Sequence, residues 1–95
     1  MTGTVVEVTG DITITDSGEY VVREGFPVVR VEGDAKPTID THGTSKPWIV
    51  TCDTSEPTIV TYDTSQPWID TFDTSQPRID THDDSSYTLN GKVSA

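Results

Sequence analysis

Acidic side chains at a regular spacing are the residues of this sequence with the clearest chemical potential. Asp53, Asp63, Asp73 and Asp83 lie ten residues apart. A carboxylate in a turn can accept hydrogen bonds from backbone amides two or three residues on, and it can also attract a cation or a basic partner. Because these four carboxylates occur in nearly identical surroundings, they do not indicate one differentiated active site.

The other reactive side chains give no catalytic pattern. His42 and His82 occupy equivalent positions with Tyr62 between them, and we expect them to be solvated surface residues rather than metal ligands. Cys52 has no basic residue in its own ten-residue segment, so an activated thiolate is not expected. No Ser-His-Asp arrangement or glycine-rich phosphate loop is evident. We therefore predict a protein that is not an enzyme and that has no metal or other cofactor.

A ten-residue repeat organises these side chains. Residues 37–86 divide into the blocks PTIDTHGTSK, PWIVTCDTSE, PTIVTYDTSQ, PWIDTFDTSQ and PRIDTHDDSS. Proline is first, isoleucine third, threonine fifth and serine ninth in every block. The first half of each block has the alternating, β-branched character of a strand, and the second half has the composition of a turn.

Identical residues at identical positions favour a parallel β-solenoid, in which like side chains stack from coil to coil. Two blocks per coil is the favoured arrangement, because Trp48 and Trp68 are twenty residues apart. Ile39, Ile59 and Ile79 would then stack on one sheet, and Ile49, Ile69 and Leu89 on the other. The alternative is an antiparallel β-meander. Residues 1–95 are interpreted as a single domain, with an N-terminal β cap over 1–26, decapeptide repeats over 27–90 and a tail over 91–95.

The charge balance restricts the partners. The chain has 16 acidic and 6 basic side chains, a net charge of −10, and this argues against direct binding to nucleic acid or to an anionic membrane. Residues 37–86 carry nine acidic and two basic side chains, a net charge of −7. Over two and a half coils of ~4.8 Å each, this is roughly one charge per 1.7 Å, the axial charge density of duplex DNA. No signal peptide is evident, so a cytoplasmic location in a host cell is expected.

An apolar set accompanies the acidic residues. Trp48, Trp68 and Phe72 fall at positions predicted to point outward, as do Val50 and Cys52, and exposed aromatic residues often form contact surfaces. This surface could also join copies of the chain into a homo-oligomer. The predicted partner-binding residues are Asp40, Asp53, Asp63, Asp70, Asp73, Asp80, Asp83, Asp84, Trp48, Trp68 and Phe72.

The block x-Ile-x-Thr-x-Asp-Thr-Ser-Gln-Pro resembles the decapeptide Ser-Ser-Gln-Pro solenoid repeats of phage and mobile-element proteins over Pro37–Tyr87. The twenty-residue coil is also similar in plan to pentapeptide-repeat proteins, some acidic members of which act as DNA mimics. The pentapeptide signature itself is not kept. Calcium β-rolls are similar in having an aspartate in each turn, but their Gly-Gly-x-Gly-x-Asp turn is missing.

These resemblances imply an inhibitor of the anti-CRISPR or anti-restriction type. Such a protein would present a DNA-like array of carboxylates and block a basic DNA-binding host protein such as a CRISPR effector. The alternative is a structural β-solenoid module of a phage fibre, spike or surface protein, which would place the chain in the virion.

Overall fold

The computed structural model describes residues 5–90, which contain ten strands and no helix. The alternating β-branched residues form short strands, and a proline or glycine lies in each of the turns from Gly25 to Pro77. The strands are β1 (Val5–Glu7), β2 (Ile12–Ile14), β3 (Glu19–Val22), β4 (Val28–Val31), β5 (Thr38–Thr41), β6 (Trp48–Thr51), β7 (Thr58–Thr61), β8 (Trp68–Thr71), β9 (Arg78–Thr81) and β10 (Thr88–Asn90).

Successive strands alternate between two parallel sheets. Sheet A has the order β1-β3-β5-β7-β9, and sheet B has the order β10-β8-β6-β4-β2. Every pairing between neighbouring strands is parallel. The predicted β-solenoid with two blocks per coil is therefore confirmed, and the antiparallel meander is excluded.

The core is built from columns of identical residues. In sheet A, Ile39 pairs with Ile59, and Ile59 pairs in turn with Ile79. In sheet B, Ile49 pairs with Ile69. The isoleucines of both sheets belong to one hydrophobic cluster, so the two sheets face each other. The threonines at the fifth position and the serines at the ninth are also buried between Thr41 and Ser75, apart from the half-buried Thr71.

The N-terminal strands belong to the same two sheets but are connected by shorter segments. Val5 pairs with Glu19, fourteen residues on (19 − 5), and Tyr20 pairs with Ile39, nineteen residues on (39 − 20). The shorter spacing affects Gly43, where a Cβ atom would lie 2.7 Å from the carbonyl oxygen of Arg23. This close approach explains why glycine replaces the repeated aspartate at this position.

Candidate partner-binding surfaces

The repeated turn depends on a left-handed residue at the seventh position. Asp53, Asp63, Asp73 and Asp83 all have φ of 58°, and Gly33 and Gly43 occupy the same conformation in the preceding coils. Aspartate is one of the few residues with a side chain that tolerates this region. The aspartates thus follow the backbone requirement of the turn as well as supplying negative charge.

The turn carboxylates bind the neighbouring coil and not their own turn. Asp63 accepts a hydrogen bond of 2.9 Å from the backbone N–H of Gly43, twenty residues earlier, and Asp83 accepts one of 3.0 Å from Asp63. Asp53 and Asp73 repeat the arrangement at the other edge of the solenoid. The expectation that these carboxylates cap amides two or three residues on was wrong, because the stacked coils bring a left-handed N–H directly to each carboxylate.

Hydroxyl groups complete the contact between coils. The buried Thr41 and Ser65 hydroxyls are 2.8 Å apart, and the Thr51 and Ser75 hydroxyls are also 2.8 Å apart. Each of these serines also donates to the carbonyl oxygen three residues earlier, as Ser65 does to Tyr62. Among the described residues, no buried side-chain nitrogen or oxygen lacks a hydrogen-bond partner.

The turn aspartates are divided between two opposite edges of the solenoid. Asp63 and Asp83 follow strands of sheet A, whereas Asp53 and Asp73 follow strands of sheet B. Each edge therefore presents one turn carboxylate per coil, about 4.8 Å apart. This is a wider spacing than the roughly 3.4 Å between phosphates on one DNA strand. The predicted charge density holds only when charges are counted around the whole solenoid.

One side of the molecule gathers five of the predicted carboxylates. Asp40 and Asp80 lie at equivalent positions on the outer face of sheet A, with Val60 between them. The adjoining turns add the exposed carboxylates of Asp63, Asp83 and Asp84. We call Asp40, Asp63, Asp80, Asp83 and Asp84 the acidic side.

The electrostatics of the acidic side are asymmetric. Arg78, which neighbours it on β9, forms no ion pair within the described residues. Partial burial raises the pKa of the Asp40 carboxyl, an effect that His42 opposes and Glu19 reinforces. Asp80, the equivalent carboxylate near the C-terminal end of the sheet, is exposed. The strongest accumulation of exposed carboxylates is thus Asp80, Asp83 and Asp84.

A stack of three rings borders the acidic side. The ring centroids of His42 and Tyr62 are 4.6 Å apart, and those of Tyr62 and His82 are 5.0 Å apart, with nearly parallel planes. His42 Nδ1 lies 3.9 Å from Asp63. Over residues 5–90, no group of three or more His, Cys, Asp or Glu side chains is arranged to hold a metal ion.

The outer face of sheet B carries a different site. Trp48 and Trp68 are paired neighbours, and about half of each side chain is exposed (49% and 55%). Asp70 lies beneath them with only 8% of its surface exposed. Its carboxylate accepts hydrogen bonds from the indole N–H of Trp48 at 2.7 Å and of Trp68 at 3.3 Å. We call these three residues the indole face.

The indole face changes the assignment of Asp70. Asp70 is predicted to contact a partner, but its carboxylate is covered and holds both indole rings. Its position two residues after Trp68 gave no sequence signal for this role, because the second indole that it holds lies twenty-two positions away in the chain.

Phe72 and Cys52 lie next to each other at the end of sheet B. Phe72 is exposed, whereas Cys52 is buried. Burial raises the pKa of the Cys52 thiol, although Arg30 opposes the shift. The expected outward position of Phe72 is therefore observed, and Cys52 is covered in spite of its place on an outer face.

Comparisons with protein-family models, with curated proteins and with solved structures gave no match to this chain. Within residues 5–90, no helix is long and apolar enough to cross a membrane.

Proposed function

We propose that this protein is a non-enzymatic acidic binding protein that occupies the DNA-binding groove of a basic host protein. A CRISPR effector is the expected target. The observation that carries the proposal is the acidic side, where five carboxylates share one face and one edge. A basic groove that binds phosphates can pair with such carboxylates, and charge complementarity of this kind accelerates association and selects partners.

The geometry divides the predicted partner-binding residues. The indole face points away from sheet A, because the two sheets pack against each other through their isoleucines. A flat partner surface cannot contact the acidic side and the indole face together. The proposed contact is therefore limited to the acidic side, and Trp48, Trp68 and Phe72 are not required for it.

A matched pair of variants tests the proposal. The first changes Asp63, Asp83 and Asp84 to asparagine, and the second changes Asp53, Asp73 and Asp34 to asparagine at the equivalent turn positions of the other edge. Both variants lose three charges, and asparagine retains the left-handed conformation. Binding to an isolated CRISPR effector should weaken strongly in the first variant and much less in the second.

Salt and competing DNA provide the further measurements. Affinity should fall steeply as salt is raised, and duplex DNA should displace the protein from the effector. Equal losses in the two triple variants, or affinity that is insensitive to salt, would contradict the proposal.

The second candidate function is a structural solenoid module. The terminal strands β9 and β10 each pair on one side only within residues 5–90, and an unpaired strand edge can extend a sheet with another chain. Sedimentation distinguishes the two functions, because a stable trimer or longer assembly supports the structural module and a monomer or dimer supports the inhibitor.

A further inference from the structure

A groove runs beside the indole face on the side away from Asp53 and Asp73. It has a volume of about 580 Å³, and its lining includes Phe26, Lys46, Trp48, Gln66, Trp68 and Ser86. One column contains Lys46, Gln66 and Ser86, each at the tenth position of a block in successive coils. The neighbouring column contains Trp48 and Trp68, each at the second position of the following block. Aromatic rings and polar side chains therefore repeat together along the groove.

The polar side chains of the groove are free to bind. Among the described residues, Lys46, Gln66 and Ser86 form no side-chain hydrogen bond and no ion pair. They provide an ammonium group, an amide and a hydroxyl next to exposed rings. Lys46 is the single charged residue of the lining in a protein of net charge −10. A cationic ligand would meet the unpaired Lys46, and a polyanionic ligand would be repelled by the net charge of −10 and would find only one ammonium group, so the groove fits a ligand without net charge.

The orientation of the indole rings further restricts the chemical class of the ligand. Both indole N–H groups are directed to Asp70 and are not available to a ligand. A proline-rich peptide in an aromatic groove uses such donors for its carbonyl groups. Here the rings offer only their apolar and π surfaces, while hydrogen bonds must come from Lys46, Gln66 and Ser86. A sugar ring matches this division, because its C–H face packs on an aromatic ring and its hydroxyls lie around the rim.

We propose that this groove binds a neutral, linear oligosaccharide across the coils. Trp48 and Trp68 come from successive coils and their ring centroids are 6.3 Å apart, so a chain that runs across the coils can place neighbouring sugars on the two rings. Because Asp70 holds both tryptophans, the rings lose little freedom when the sugar binds. The tryptophans of the groove lie on sheet B, whereas Asp40 and Asp80 lie on sheet A, and Gln66 and Ser86 share their turns with Asp63, Asp83 and Asp84. The inference does not use any carboxylate of the acidic side, so it is independent of the proposed function.

Tryptophan fluorescence provides the test, since Trp48 and Trp68 are the two tryptophans of the chain. The probes are β-1,4-linked hexasaccharides of glucose, mannose, xylose and N-acetylglucosamine, each titrated to about 10 mM to detect even a weak Kd near 1 mM. We expect a saturable change with one or more of them, with an affinity that does not depend on salt.

Variants on the same face locate the site. Trp68→Ala should weaken binding about tenfold or more, and Gln66→Ala should weaken it in a protein with both tryptophans in place. Phe72→Ala, which removes an exposed ring outside the groove, should leave affinity unchanged. Asp70→Ala should weaken binding and broaden the indole signals in NMR spectra, because Asp70 is a positioning residue.

Three results would overturn the proposal. The first is that none of the four hexasaccharides changes the fluorescence. The second is that Phe72→Ala reduces affinity as much as Trp68→Ala does. The third is that a proline-rich decapeptide gives the saturable change in place of the sugars. Loss of salt-dependent binding by the acidic side would leave all of these outcomes unaffected, so the two proposals fail separately.

Discussion

At the scale of single residues, one aspartate serves both the backbone and the neighbouring coil. In Asp63 the left-handed φ of 58° allows the chain to turn, and the carboxylate accepts the N–H of Gly43. Thr64 donates its backbone N–H to the carbonyl oxygen of Gly43, so both polar groups of the earlier turn residue are satisfied. The repeated aspartate is therefore a structural residue whose charge is also available at the surface.

Three substitutions of Asp63 separate these contributions. Asp63→Asn should preserve stability best, because asparagine keeps an acceptor oxygen and tolerates the left-handed region. Asp63→Gly removes only the acceptor, and Asp63→Ala removes the acceptor and strains the backbone, at a total cost of about 1–3 kcal/mol. Urea unfolding should give the order Asn, Gly, Ala from most to least stable. An alanine variant as stable as the glycine variant would show that φ is not constrained.

Tyr20 provides a prediction about pH. The hydrogen bond that its hydroxyl donates to Asp16 at 2.7 Å, together with burial, raises the pKa of Tyr20 from its ordinary 10.0 to about 12. The same bond lowers the pKa of Asp16. Because the folded state holds the phenol proton more tightly, this contribution to stability is complete below pH 10 and is lost as the pH rises towards 12.

Phenolate absorbance checks this prediction. In a protein with Tyr62→Phe and Tyr87→Phe, the remaining Tyr20 should ionise near pH 12. Adding Asp16→Ala should move the ionisation towards pH 10. An unchanged midpoint in that variant would assign the shift to burial instead of the hydrogen bond.

At the scale of elements, the strands are too short to be stable singly and depend on their neighbours in the stack. Each strand from β5 to β9 has four residues, of which one isoleucine points into the core. A repeat stack of this kind gains stability mainly from contacts between adjacent coils. The cost of a core substitution should therefore depend on how many coils cover the residue.

Two isoleucines in one column test that dependence. Ile59 is fully buried between Ile39 and Ile79, whereas Ile79 in the last strand of sheet A is only partly buried. Ile59→Ala should destabilise the protein by about 2–5 kcal/mol, and Ile79→Ala by clearly less. Thermal or urea unfolding measures both. Equal losses would mean that another part of the chain covers the end of the stack.

At the scale of the whole molecule, the twenty-residue coil gives the protein two unlike sides. Odd and even blocks alternate between the sheets, so the tryptophans, twenty residues apart, share the outer face of sheet B. The acidic side is built on sheet A. The two proposed binding surfaces therefore have their strands on different sheets and meet at the turns that carry Asp63 and Gln66.

Deletions of whole blocks test this assignment. Removing residues 57–66 should transfer Trp68 to sheet A and place the two tryptophans on opposite faces. Removing residues 28–47, a complete coil, should keep Trp48 and Trp68 adjacent. Both proteins should retain a β-type circular dichroism spectrum, but only the ten-residue deletion should abolish the coupling between the indoles in near-ultraviolet spectra. The same indole spectrum in both deletions would contradict the two-block coil.

The repeat in the sequence determined the parallel stack, the coil of two blocks and the isoleucine columns, because identical residues at a constant period can satisfy one another only by lying in register. Tertiary structure decided which coil each carboxylate binds, how the acidic residues divide between two edges, and that Asp70 supports two indoles. Those contacts join residues about twenty positions apart, and their partners are selected by the direction and depth of side chains on a closed coil. A linear pattern specifies position in the chain, but the folded coil determines which side chains share a face.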